Sequence, residues 1–417
     1  KRIVDVVTKR ESVQKFSKVV SRDEIRKNDY NLNIPRYVDS SEAAESWDIY
    51  ASMFGGLPLS EIDELKEYWI AFPELRNALF ENTSSAYCNL RVENIKKAIK
   101  EHSDVCSFEN KYRDVFSGFD EYLYDELIEK MTALNISKAE ATLSADIFER
   151  LKDIPLVDKY EAYQLLDDDW TKIAVDLEII QTEGFEATKR VDPNMVIKKK
   201  DGKEQEVQEG WVGRIIPFDL IQDTLLSDDK AALKTKENRL SEIASEYEEL
   251  FDSLTEEEKE GDYASEDGFV NAEIKKALKS DSVEPETKEK LRKVAVLATE
   301  EKELKAAIKK DAGLLEGKTK ETIESLSDEQ VIDLLKDKWI TPLIQSLMKL
   351  PDSIVNELVS KLEALTKKYE TTFAEVETQI SETEKVLSAM IDDLEGSEFD
   401  KLGLSEFKKM LGGVQND

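Results

Sequence analysis

The chain has 417 residues, a formal net charge of −32, 40% hydrophobic residues and 36% charged residues. This length supports two or three domains with sizeable cores, and so anionic a surface, taken as a whole, repels nucleic acid. No apolar run approaches the roughly 20 residues of a membrane span, and two cysteines, Cys88 and Cys106, form no disulfide framework, so a cytoplasmic protein with no membrane partner is expected.

The charge is unevenly spread. Residues 1–36 hold ten Lys or Arg against five Asp or Glu, a net of +5, which leaves −37 for the remainder. Within and just beyond that basic stretch, "RKNDYNLNIPRYVD" (26–39) is written in turn and strand residues. Residues 1–40 therefore read as a segment apart from the rest of the chain.

Helical signals dominate after residue 40, and nine prolines and fifteen glycines are few enough to permit long helices. "SEIDELKEYWIAF" predicts a helix capped at Ser60, with Ile62, Leu65, Trp69 and Phe72 on one face; Pro73 then restarts a second one. "FENKYRDVFSGF" places Phe108, Tyr112, Val115 and Phe119 together, and "SKAE" (137–140) and "SDEQ" (327–330) are capping boxes. Thr341-Pro342 reads as an N-cap followed by a first-turn proline. A β-hairpin is expected near 195–218, turning at Asp201-Gly202. The acidic stretch 255–268 lacks large aliphatic side chains and reads as a mobile linker.

The C-terminal region, 269–417, carries a seam. Leu358, Leu362, Leu365, Tyr369, Phe373, Val376, Ile380, Thr383, Leu387, Met390 and Leu394 alternate at spacings of three and four, and Gly396 would end the run. The seam fits either a helix packed within its own chain or an intermolecular coiled-coil arm, and its narrowness asks for a slim partner. The expected fold is thus mainly α: a helical domain over 41–254 with a small β-hairpin, then a long coiled-coil-like C-terminal helix.

The sequence offers little for catalysis. The single histidine, His102, lies four residues before Cys106, but structural zinc wants four ligands. No G-x-S-x-G surrounds a serine, and neither G-x-x-x-x-G-K-[ST] nor G-x-G-x-x-G occurs. The acids of "LLDDDW" (165–170) read as a solvated helix end. No catalytic, cofactor-binding or metal residue is assigned.

"SKVVSRDEIRKNDYNLNIPRYVD" (17–39) resembles the segment that closes the catalytic domain in the modification (HsdM) subunit of type I restriction-modification systems. "SWDIYASMFGGLPLSEIDEL" (46–65), "IPLVDKYEAYQLLDDDW" (154–170), "EGWVGRIIPFDLIQ" (209–222) and "KWITPLIQSL" (338–347) look like its extended C-terminal region. The resemblance implies a C-terminal part of an S-adenosylmethionine-dependent DNA adenine-N6 methyltransferase. The glycine-rich cofactor motif and the Asn-Pro-Pro-aromatic catalytic motif of that family would lie upstream of Lys1, so S-adenosylmethionine belongs to the parent subunit. Implied partners are the specificity subunit, the restriction subunit and, through the assembled complex, DNA. The candidate subunit interface is Leu358, Leu362, Leu365, Tyr369, Phe373, Val376, Ile380 and Leu387. Candidate DNA contacts are Arg22, Arg26, Lys27 and Arg36, for an alternative role as an accessory DNA-contacting module; a stand-alone helical interaction protein is the other alternative. Detached from a catalytic domain, residues 1–36 would owe any order to packing on the helices downstream.

Overall fold

The computed structural model describes residues 1–40, 46–200, 203–265, 268–280, 283–394 and 397–411. Helix makes up 69% of it, with a few small antiparallel sheets, so the mainly-α expectation holds. The chain forms two compact units that interleave along the sequence. One comprises Lys1–Ser117, Ala141–Asp167 and Gln345–Asp417, and the other Gly118–Glu140 and Asp168–Ile344.

In the first unit, strands Leu57–Pro58, Phe80–Asn82 and Tyr87–Leu90 form an antiparallel sheet with Tyr87–Leu90 in the middle. Helices Ile95–Lys100 and Ser103–Val115 pack against helix Leu350–Lys368. Their meeting faces are apolar at helical spacing: Ile95 and Ile99, Phe108 and Tyr112, and Ile354, Val355, Leu358, Val359 and Leu362 are all buried. The Tyr112 hydroxyl donates to the Leu347 carbonyl at 2.8 Å, which satisfies the polar tip of a buried ring; burial pushes that phenol's pKa up. Phe116, not Val115, completes the buried aromatic row, because the helix ends at Val115 and Gly118 turns the chain at φ 69°.

Local expectations fared unevenly. Ser327 forms its capping box with Gln330. Ser60 does not cap: Pro58 precedes a helix that already begins at Leu59. Pro73 lies in the turn before helix Leu75–Leu79, with Glu74 between them. Asn135, not Ser137, accepts the Lys138 amide at the start of helix Ile136–Leu151. The acids 167–169 sit inside helix Lys159–Glu183 and not at its end.

The second unit contains the hairpin, which starts four residues earlier than expected and ends at Gly213, short of Phe218. Val191–Lys200 pairs with Lys203–Gly213, with a register shift between Pro193 and Met195; the Asp201-Gly202 turn lies outside the described residues. After the hairpin, Ile215 and Ile216 are buried. Nearby, Asp176 accepts hydrogen bonds from Lys338 Nζ at 2.5 Å and Trp339 Nε1 at 2.8 Å. Lys338 also donates to the Ile215 carbonyl at 2.5 Å, so one nearly buried carboxylate and one lysine tie three segments of this unit.

Helix Ser227–Asp252 runs against the 40-residue helix Pro285–Glu324, about 60 Å long at 1.5 Å per residue. Arg239 joins them by donating to Glu300 at 2.7 Å, and it also donates to Glu246 of its own helix at 2.6 Å. The segment 255–268, expected as a linker, is folded over its described residues. Thr255 and Glu258 form a capping box on helix Glu256–Lys259, Ala264–Ser265 pairs with Gly268–Phe269, and Tyr263 is buried with Ile274, Ala277, Leu291 and Val294. An aromatic anchor does here what the missing aliphatic residues could not.

Glu258 contributes to the same fold. Burial alone would raise its pKa, but hydrogen bonds from the Thr287 hydroxyl at 2.5 Å, the Thr255 amide at 2.7 Å and Lys290 at 3.0 Å hold it down at about 2. Its stabilising contribution is therefore complete above the ordinary value of 4.5 and is lost as pH falls from there through about 2. Glu258→Gln should cost about 1–3 kcal/mol at neutral pH and flatten that part of the acid-unfolding profile. Hydrogen exchange at Leu291 and Val294 against pH reads both effects; a profile identical to that of the unsubstituted chain contradicts them.

Candidate interaction surface

The heptad seam does not form one helix. Helix Leu350–Lys368 stops, Tyr369 leaves helical geometry, and helix Phe373–Asp392 begins with a new capping box, Thr372 with Glu375. The cause is tertiary. The Tyr369 hydroxyl accepts the Asp48 amide at 3.0 Å and donates to Glu61. Its ring meets Trp47 edge-on at 6.0 Å, and Lys368 donates to Glu61 at 2.8 Å and to the Ser46 carbonyl at 2.5 Å. Gly55 helps the turn close: at φ 87° it takes a backbone that side chains disfavour, and an added Cβ would sit 3.3 Å from Thr372 Cγ2.

This break divides the predicted interface. Leu358, Leu362 and Tyr369 are 0%, 1% and 4% exposed, so they belong to the unit's own core and are withdrawn as subunit contacts; Leu365 is half-buried beside them. Beyond the break the pattern inverts. Phe373, Val376, Ile380, Leu387, Met390 and Leu394 are all exposed, Ile380 at 54%, and Thr383 is exposed with them. Gly396, the predicted stop, lies outside the described residues. Helix Glu398–Leu411 packs against Phe373–Asp392, with an ion pair between Lys408 and Asp392, and exposes Phe399, Leu402, Phe407 and Met410. Exposed apolar side chains grouped on a helical pair make this surface the candidate interaction site.

Sequence reasoning missed one extension of it. Helix Ile49–Phe54, capped by Asp48, contacts helix Phe373–Asp392 and adds the exposed side chains of Trp47, Ile49, Tyr50 and Phe54. Tyr50 stacks on Tyr87 at 4.7 Å, and the Tyr87 hydroxyl donates to Asp48 at 3.1 Å, so this aromatic group is held in place. Its sequence signal was the aromatic density of "SWDIYASMF". At helical spacing Glu377 and Glu384 fall beside the apolar stripe, an acidic margin that favours a basic rim on whatever covers it.

The candidate DNA contacts lie in the opening segment. Helix Arg22–Lys27, capped by Ser21, carries Arg22, Arg26 and Lys27, all exposed, with Arg26 paired to Asp23 at 3.4 Å. Arg36 is exposed on the separate 3-10 turn Ile34–Arg36. Residues 26–39 contain turns but no strand: Asp29 and Tyr30 both take positive φ, and the Tyr37 hydroxyl donates to the Asn31 carbonyl at 2.6 Å. Helix Arg2–Lys9 is anchored within its unit through Lys1 to Ser144, Arg2 to Asp158 and Asp5 to the Tyr160 hydroxyl, each at 3.1 Å, and through buried Val6.

His102 is the N-cap of helix Ser103–Val115, its Nδ1 accepting the Asp104 amide at 3.2 Å; Cys88 is buried in the sheet, and the Cys106 thiol donates to the Lys100 carbonyl at 3.5 Å. Asp169, in the acidic run, has its pKa raised by burial, with Lys172 acting in the opposite direction. Among the described residues no group of three or more His, Cys, Asp or Glu side chains could hold a metal ion, and no helix is long and apolar enough to cross a membrane.

Residues 1–46 match the family model described as N-6 DNA methylase. A 66-residue stretch, 16% of the chain, is 42% identical to the type I restriction enzyme MjaVII methylase subunit of Methanocaldococcus jannaschii and covers 10% of that protein. No solved structure matches. The resemblance read from residues 17–39 is thus borne out at the level of the opening segment, which matches an N-6 DNA methylase model, in a chain that is similar over a short stretch to one type I methylase subunit.

Proposed function

We propose that this chain is the C-terminal docking part of a type I DNA adenine-N6 methyltransferase subunit and that it holds the specificity subunit. The observation that carries this reading is the joining, in one unit, of a methylase-type opening segment to an unpartnered apolar helical pair, Phe373–Asp392 and Glu398–Leu411. Phe373, Val376, Ile380 and Leu387 are the contacts, with Trp47 and Phe54 at the margin. Two exposed amphipathic helices suit a helical partner, which would bury their apolar stripes by bundle packing. The parent subunit would use S-adenosylmethionine; no residue of this chain is assigned to it. DNA and the restriction subunit would be reached through the assembled complex. Co-expression with the specificity subunit should yield one complex on size exclusion; separate elution of two folded proteins contradicts the proposal.

A second reading has its own observation: Arg22, Arg26, Lys27 and Arg36 all face solvent, on a segment of net positive charge. As direct phosphate contacts they would make duplex binding salt-dependent, with a slope that falls by about 2 when Arg26 and Lys27 are neutralised. A slope unchanged by those substitutions argues against it.

A further inference from the structure

We propose that a cleft in the Gly118–Glu140/Asp168–Ile344 unit, between helix Ser227–Asp252 and the short strand Gly268–Phe269, binds an alkylammonium group, the chemistry of a lysine side chain or a free polyamine. The cleft has a volume of about 470 Å³, within the range of small-ligand sites. Tyr247, Phe251 and Phe269 line it together with Glu248 and Asp252. Phe251 and Phe269 stand perpendicular at 5.3 Å between centroids, two walls of a box. The Tyr247 hydroxyl donates to Glu301 at 3.1 Å, which fixes the third ring. Gly268, at φ 115°, opens the strand that places Phe269 at the cleft, in a backbone conformation that glycine adopts freely.

Aromatic faces attract cations through their quadrupole, and the gain grows when a carboxylate stands nearby. Here Glu248 and Asp252 are exposed and have no ion-pair partner among the described residues. The fold already uses one of these rings in this way: the Lys259 ammonium lies 5.6 Å from the Phe251 centroid. A neutral apolar ligand would leave both carboxylates unused, and an anion would be repelled by them. An ammonium on a flexible alkyl stem uses the rings and the charges together.

Titration of the full chain, followed by ligand-observed NMR at physiological salt, tests this with four probes: capped lysine amide, spermidine, n-butylammonium and its neutral counterpart n-butanol. The three amines should bind saturably and butanol should not. Glu248→Gln with Asp252→Asn, both exposed positions, should weaken amine binding about fivefold or more. Glu257→Gln with Glu260→Gln, equal in charge but outside the cleft, should leave it unchanged. Tighter binding of the capped lysine supports a protein side chain as the natural occupant, and tighter binding of spermidine supports a polyamine. Equal loss in the two double variants would reduce the effect to attraction by an acidic surface and overturn the proposal, as would butanol binding like butylammonium or no saturable binding of any amine.

Discussion

Replacing Asp176 by alanine is expected to destabilise the Gly118–Glu140/Asp168–Ile344 unit by about 3–5 kcal/mol. The carboxylate is the shared acceptor of Lys338 Nζ and Trp339 Nε1, and its side chain is only 8% exposed. Alanine leaves a largely desolvated ammonium facing a cavity and strips the buried Trp339 indole of its acceptor. Removing the charge from both partners is a different experiment. Asp176→Ala combined with Lys338→Met should recover part of the loss, since an apolar pair is tolerated where a lone buried charge is not. Urea unfolding followed by tryptophan fluorescence measures both variants. A loss below about 1 kcal/mol in the single variant would show that Lys338 finds water or another acceptor.

Leu362→Asp and Ile380→Asp should have opposite consequences although both positions belong to one heptad pattern. Leu362 is 1% exposed in the core of its unit, so a carboxylate there should cost about 3–5 kcal/mol and unfold or loosen that core. Ile380 faces solvent, so the same substitution should change stability by no more than about 0.5 kcal/mol while removing an apolar contact from the proposed interface. Thermal unfolding separates the two. Equal destabilisation by both would mean that Ile380 is covered within its own chain.

The heptad pattern shows what the sequence could and could not convey. Its period announced helix correctly on both sides of Tyr369, but periodicity carries no record of what covers a stripe. Tyr369 continues the spacing, yet its hydroxyl is drawn to Glu61 and Asp48, more than 300 residues earlier. The one local signal of a break was the capping box Thr372-x-x-Glu375, which lies inside the run. The hairpin was legible because an Asp-Gly step is flanked by runs that can extend, and its early start at Val191 escaped because a proline in a strand argues against one. The segment 255–268 was misjudged from composition: the buried Tyr263 and the part-buried hydrogen bonds of Glu258 outweigh its many acids. Of the candidate interface, the half beyond Thr372 was readable as apolar at helical spacing, whereas its extension through Trp47 and Phe54 depends on a contact between helices far apart in the chain.

The central claim is that the exposed helical pair receives the specificity subunit, and calorimetric titration of that subunit into the full chain tests it most directly. The unsubstituted chain should bind with a defined stoichiometry. Phe373→Asp with Ile380→Asp, melting at the same temperature as the parent, should bind at least about tenfold more weakly. Unchanged affinity in that folded double variant would contradict the account and move the interface elsewhere.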